Sequence, residues 1–218
     1  MTRFIFGAGP QGRVILDILR ARNEGHIVRF LDDNPQLAGL EVNGVPVVGG
    51  LDRLESSADR VAVIVALGNP LARLAVAQRA QVRGIRSFNA VHPSAVIMAS
   101  ATIGVGNMIA AGVVINSNAH VADHVIVNTG AVLEHDAFVA EGATICPGVH
   151  VGGRVCLERG AFIGTGAILL PRVTIGAGAV VAAGAVVTRS VESSVLVKGS
   201  PARSVETIND QFDWRRVL

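Results

Sequence analysis

Every sixth residue from Val91 to Val187 is aliphatic. The series runs Val91, Ile97, Ile103, Ile109, Ile115, Val121, Val127, Leu133, Val139, Ile145, Val151, Leu157, Ile163, Leu169, Ile175, Val181 and Val187, seventeen positions without a slip. A second column lies two residues before each from Ile97 on. It holds Ala95, Ala101, Asn107, Val113, Ala119, Val125, Ala131, Ala137, Ala143, Val149, Val155, Ala161, Ala167, Val173, Ala179 and Ala185, all small or medium. A fixed short period marks a solenoid. Helices repeat a face every 3.6 residues and strands every 2, so six fits short strands with a turn after each hexad. Three turns close a triangular coil of eighteen residues. Successive coils then stack as parallel strands roughly 4.8 Å apart. The large aliphatic fills the interior and the small residue sits at or near the corner. Gly104, Gly106, Gly142, Gly152, Gly164, Gly166, Gly176 and Gly178 cluster around these turns, where unusual φ/ψ values are expected. A β-sandwich spaces its turns less evenly, every 8–12 residues.

The composition follows from the repeat. Half of the 218 residues are hydrophobic, yet no run approaches the ~20 apolar residues of a membrane helix. Membrane insertion and a signal peptide are not expected, because Gly7, Gly9 and Pro10 break the first apolar stretch. A net charge of +2 and the absence of Tyr argue against nucleic acid as the main partner. The two cysteines, Cys146 and Cys156, are out of the eighteen-residue register, so no disulfide is expected. That fits a cytoplasmic compartment.

Residues 1–90 read as a separate α/β module. Thr2 to Phe6 is predicted as a buried strand running into Gly7-Ala8-Gly9-Pro10-Gln11-Gly12, with a helix over Arg13 to Arg22. Strand, glycine turn and helix start together suit the approach of a phosphate. Pro10 removes one N–H from that turn. A second strand, Ile27 to Leu31, ends at Asp32-Asp33, whose carboxylates can accept from a ribose or a base. A third strand, Val61 to Leu67, leads through Gly68-Asn69-Pro70 into a helix over Leu71 to Gln81. The order is βαβ-like with a parallel sheet. A tight turn without ligand is the competing reading. A dehydrogenase fits poorly, because a solenoid offers no evident hydride acceptor site.

Chemistry is expected mid-solenoid, in Asn128-Thr129-Gly130-Ala131-Val132-Leu133-Glu134-His135-Asp136. His135 lies two residues past inward-facing Leu133 and should point out. An imidazole beside a carboxylate is an economical general base near neutral pH. Gly153 lies one coil from His135, where a bare N–H can meet an oxyanion. A surface pair between Asp136 and Arg154 is the plainer alternative. His120, His124, His135 and His150 occupy different columns, so a metal site would have to form across subunits. His92 is expected in the turn entering the solenoid.

The hexapeptide series resembles that of the left-handed β-helix acyltransferases. The whole chain resembles the bacterial NeuD/PglD-type family of sialic-acid O-acetyltransferases and UDP-amino-sugar N-acetyltransferases. The matching pieces are Phe6-Gly7-Ala8-Gly9, Phe30-Leu31-Asp32-Asp33-Asn34, Gly44-Val45-Pro46-Val47, His92-Pro93-Ser94-Ala95, Asn128-Thr129, Glu134-His135-Asp136 and Lys198-Gly199-Ser200-Pro201-Ala202-Arg203. The resemblance implies acetyl-CoA as cosubstrate, no metal, and a homotrimer with active sites between subunits. It makes His135 the base and Asp136 its partner. It places Gly7, Gly9, Asp32, Asp33 and Asn128 at the acceptor; Gln11 and Asn69, in the adjoining loops, are expected to bind the acceptor as well. It places Lys198, Gly199, Pro201 and Arg203 along CoA. Two positions depart. Gly9-Pro10-Gln11 stands where the family often has Ser-Gly-His or Gly-Gly-His. Thr144 stands where a second family histidine contacts the thioester, and supplies one hydrogen bond instead.

The expected architecture is therefore a Rossmann-like module over 1–90, a left-handed parallel β-helix over 91–203 and a C-terminal cap or tail over 204–218. The expected reaction is acetyl transfer to an amine or hydroxyl of a sugar, with a UDP-linked 4-amino sugar in front. A sialic-acid-type O-acetyltransferase, a metal enzyme of the γ-carbonic-anhydrase type and a non-catalytic sugar-nucleotide scaffold are the alternatives.

Overall fold

The computed structural model describes residues 2–54, 61–209 and 211–216. The first part is a small parallel sheet. Its strands are β1 (Thr2–Phe6), β2 (Val28–Leu31), β5 (Val61–Val65) and β6 (Arg86–Ser87), in the order β2-β1-β5-β6. Between β2 and β5, β3 (Glu41–Val42) and β4 (Val45–Pro46) form a hairpin. Asn43 and Gly44 turn it with φ of 51° and 74°, the left-handed pair that an Asn-Gly turn requires.

Both helices begin earlier than periodicity predicts. Helix α1 spans Pro10–Ala21 and α2 spans Pro70–Val82. Proline suits a first helical position, because its φ is preset and its missing N–H would be unpaired there anyway. Pro10 thus starts the helix rather than interrupting the loop. The second strand loses Ile27 to a 3-10 turn over Gly25–Ile27, and the third ends at Val65 instead of Leu67.

The solenoid has three faces, each a ladder of two-residue parallel strands. The first face stacks Ala90–Val91, Met108–Ile109, Ile126–Val127, Thr144–Ile145, Phe162–Ile163 and Val180–Val181. The second runs from Val96–Ile97 to Val186–Val187, and the third from Thr102–Ile103 to Thr174–Ile175. Partners are eighteen residues apart throughout, as in Ile126 with Thr144. Both aliphatic columns point inward and form one core; Ile115, Val125, Ala131 and Ile145 are fully buried. The polar member Asn107 is fully buried too. Its amide donates to the Ala122 carbonyl and accepts from the Val125 N–H, so its own polar atoms are both paired.

The turn glycines divide into two kinds. Gly106, Gly142, Gly166 and Gly178 have φ between 63° and 73°, the left-handed region. Gly104, Gly152, Gly164 and Gly176 do not. They are glycines because the next coil's backbone lies too close: a Cβ on Gly164 would sit 2.6 Å from the Ala183 nitrogen. At the turn from the second to the third face, Asn118, Asp136, Arg154 and Arg172 hold the left-handed position, with φ of 57–68°.

Two segments cover the outer side of the first face. The module packs Ile15, Leu19 and Phe30 over Ala90, Met108 and Ile126. Phe212 and Trp214 pack over Phe162, Val180 and Leu196. The tail therefore lies along a face instead of closing the end. The chain end of the solenoid also differs from a simple continuation through Thr188 to Val197. The strand Val195–Gly199 pairs with Val180–Val181 and turns back antiparallel as Ala202–Thr207.

Candidate active site

The turn between the second and third faces carries His135. Its Nδ1 lies 2.9 Å from Asp136 Oδ2, and the imidazole is 56% exposed. Asp136 accepts from Asn118 one coil below, and its N–H donates to the Ser117 carbonyl at 3.0 Å. Arg154 Nε stands 3.5 Å from the same carboxylate. The pairing with Arg154 and the pairing with His135 thus coexist. The His135 hydrogen bond, followed by Asn118, holds the Asp136 carboxyl below its ordinary value. A carboxylate on Nδ1 fixes the proton there and leaves the Nε2 lone pair free to accept one.

Gly153 lies under that ring. A Cβ built on it would approach His135 Nε2 to 2.7 Å and Cε1 to 2.9 Å. Its N–H has no acceptor among the described residues. The Gly153→Ala variant should therefore push the half-exposed imidazole off Asp136 while sparing the core. The expected result is a loss of about tenfold or more in turnover with a melting temperature close to the parent's. An unchanged rate would show that the ring's seat on Gly153 is irrelevant.

A second cluster lies where the module meets the first face. Pro10, Gln11, Gly68, Asn128, Thr144, Cys146, Phe162 and Thr165 help to line a cavity of about 490 Å³. Gln11 Nε2 contacts Met108 Sδ, and Asn128 opens the turn between the first and second faces. Thr144 is 4% exposed and its Oγ1 accepts from Arg73 Nη2 at 2.8 Å. Burial pushes the Cys146 thiol up to about 11, so it stays neutral at pH 7. His135 and Gly153 sit at one edge of the prism, and Asn128 and Thr144 on the far side of the second face. Within one protomer the two clusters do not converge.

Several candidates hold the module together. Gly7 has φ 107°, and its N–H donates to the Leu31 carbonyl at 2.7 Å. Gly9 caps α1 without a side-chain bond. Both Asp32 oxygens accept backbone N–H groups, from Ala8 and Asn34 at 2.9 Å each. Asp33 accepts from Arg79 at 2.8 Å, and Asn69 caps α2 by accepting the Ala72 N–H at 3.1 Å. These contacts shape the glycine loop and the α2 start; Pro10, Gln11 and Gly68 are the module residues that reach the cavity.

Lys198, Gly199, Pro201 and Arg203 form the C-terminal hairpin. Lys198 is paired with Arg203 across it, Gly199 has φ 99°, and the Ser200–Pro201 bond is cis. Arg203 joins Arg189, Ser190, Glu192 and Ser204 around a cavity of about 400 Å³. His120 and His150 project from different faces, and His124 is held by the third-to-first turn. Burial lowers the His124 basicity. No group of three metal-ligating side chains comes together among the described residues. His92 bonds Ser94 in the entry turn.

Arg73 is the residue that the sequence reading missed. It stands on the buried stripe of α2, between Pro70, Leu74 and Ala77. A cation at an apolar helical position was the available signal.

Comparisons with known proteins agree with this layout. Residues 4–80 match the PglD N-terminal domain, and residues 157–189 match the bacterial transferase hexapeptide repeats. A GDP-perosamine N-acetyltransferase of Escherichia coli O157:H7 is 32% identical over 156 residues, 69% of this chain and 70% of that protein. PerB from Caulobacter crescentus, solved with CoA and GDP-perosamine, is 36% identical with a TM-score of 0.88, covering 94% of this chain and 98% of that one. The chain belongs to the PglD-type sugar acetyltransferases. The acetyltransferase domain of PglB from Neisseria gonorrhoeae, solved with acetyl coenzyme A, is 32% identical, with a TM-score of 0.88 over 94% of this chain and 98% of that one. The solenoid is accordingly the left-handed parallel β-helix of this family, behind a Rossmann-like module.

Proposed function

We propose that the protein moves the acetyl group of acetyl-CoA to the amino group of a nucleotide-linked amino sugar. The observation that carries this reading is the His135 imidazole, bonded through Nδ1 to Asp136 and open at Nε2 above Gly153. The sugar nitrogen attacks the thioester carbonyl and a C–N bond forms. His135 Nε2 takes the nitrogen's proton. The Gly153 N–H steadies the oxyanion. Collapse breaks the C–S bond, and the departing CoA thiolate receives the proton from His135.

Asn128, Gln11 and Thr144 line the pocket on the acceptor side. Arg189 and Arg203 offer cations to CoA phosphate at the C-terminal hairpin, with Lys198, Gly199 and Pro201 shaping the turn beside them. The Escherichia coli relative is a GDP-perosamine N-acetyltransferase and PerB was solved with GDP-perosamine, so GDP-linked amino sugars lead as acceptors. UDP-linked amino sugars, the class the sequence pointed to, come next.

The separation of the two clusters favours a homotrimer in which one copy's His135 faces another copy's cavity. The outer column of the second face supports self-association: Val96 and Ile168 are 49% and 42% exposed, and with Val114, Val132 and Val186 they form an apolar stripe that His150 interrupts. No helix among the described residues is long and apolar enough to cross a membrane. Both substrate classes belong to the cytoplasm, where we place the protein; cell fractionation checks this. The deciding experiment incubates the protein and acetyl-CoA with GDP-, UDP-, dTDP- and CMP-linked amino sugars and follows free thiol. Thiol release should need the amino sugar, and the product should carry an N-acetyl group. Silence with every acceptor refutes the reading, and a solution mass of one protomer refutes the trimer.

A further inference from the structure

Arg73 is 1% exposed, a guanidinium inside the protein. Nη1 donates to the carbonyls of Leu67 and Gly68, and Nε to that of His124. Nη2 donates to the Gly142 carbonyl at 2.6 Å, to Ala143 at 3.3 Å and to Thr144 Oγ1 at 2.8 Å. No carboxylate is among these partners. Burial without a counter-ion lowers the Arg73 pKa to about 9, so the charge remains at neutral pH.

The geometry fixes the direction of one proton. A guanidinium only donates, so Thr144 Oγ1 must be the acceptor in this bond. The hydroxyl's single hydrogen is then left over. It has no acceptor among the described residues, while Thr144 lines the cavity with Gln11, Asn128 and Cys146. A buried donor without a partner is costly, and a ligand oxygen would satisfy it. The positive charge behind the hydroxyl strengthens it as a donor.

We infer that Arg73 is a positioning residue acting through Thr144: it turns the Thr144 hydroxyl into a fixed donor aimed at a substrate oxygen in the cavity. That oxygen belongs either to the sugar acceptor or to the acyl carbonyl. The inference rests on the acetyltransferase reading and adds a polar specificity element supplied by α2 of the module.

The test compares Thr144→Val with Thr144→Ser. Valine keeps the shape and loses the hydroxyl, and Arg73 Nη2 retains the Gly142 carbonyl, so the fold should hold. Thr144→Val should lower kcat/KM by about tenfold, and Thr144→Ser should stay within about threefold of the parent. A higher KM for the amino sugar assigns the oxygen to the acceptor. A lower kcat with unchanged KM values assigns it to the reacting carbonyl. Arg73→Lys, in parent and Thr144→Val backgrounds, completes a cycle. Action through Thr144 predicts that the lysine change costs much less rate in the valine background. Parent rates in Thr144→Val, or equal losses in the valine and serine variants, overturn the inference while leaving acetyl transfer intact. A parent protein without transfer to any amino sugar removes the reading beneath it instead.

Discussion

Replacing His135 by alanine should lower turnover by at least about 10² and leave folding and assembly as they are. The side chain is half-exposed, and it touches Asp136 and the space above Gly153 rather than the core. Its removal strands no buried partner, because Asp136 retains Asn118 and Arg154. The lost activity is therefore chemical. An amine attacking a thioester sheds a proton as the C–N bond forms, and at this turn Nε2 is the acceptor left open, since the Glu134 and Asp136 carboxylates already accept hydrogen bonds. Both KM values should hardly move if His135 works mainly in the transition state. Asp136→Asn should lower turnover too, because an amide that donates to Nδ1 leaves the ring proton on Nε2 and no longer stabilises the imidazolium. The parent carboxyl titrates below its ordinary range, mainly through the His135 hydrogen bond. It therefore stays ionised throughout the neutral range, and Asp136 should add no limb to the rate profile there. Near-parent turnover in the alanine variant would take His135 out of the mechanism.

The unequal legibility of fold and site has a physical source. A core column of identical geometry imposes the same demand every six residues, so Val91 to Val187 declares the solenoid in one dimension. The His135 turn was legible for the same reason. Eighteen-residue register alone brings Asn118, His135, Asp136, Gly153 and Arg154 together, and they do meet. The glycines were harder, because two causes leave the same letter. Gly106 answers a positive φ, whereas Gly164 answers a neighbouring backbone 2.6 Å from its missing Cβ. Asp32 and Asn69 were ambiguous in another way. A carboxylate or amide at a strand end serves a ligand or the loop equally well on paper. Here they accept the N–H groups of Ala8, Asn34 and Ala72. Arg73 escaped because its six acceptors come from three stretches of chain, residues 67–68, 124 and 142–144. Nothing periodic links those stretches.

That dispersal makes Arg73→Met the most damaging single change expected for stability. The guanidinium bridges α2 and the β-helix, and methionine fills much of its volume without any donor. The carbonyls of His124 and Gly142 have no other donor among the described residues. Each buried orphan costs about 1–3 kcal/mol. Burying a charge no longer counts against the fold, which offsets part of that loss. The net expectation is a destabilisation of about 3 kcal/mol. In a chain of this size that lowers the melting temperature by roughly 6–12 °C. Arg79→Met is the control on the same helix. Its ion pair with Asp33 is nearly half-exposed on both sides, and such pairs contribute about 0–1 kcal/mol. Calorimetry on the two variants separates burial from charge. If Arg73→Met melts within about 2 °C of Arg79→Met, the carbonyls around Arg73 find water or one another, and the module is held to the solenoid by its apolar contacts alone.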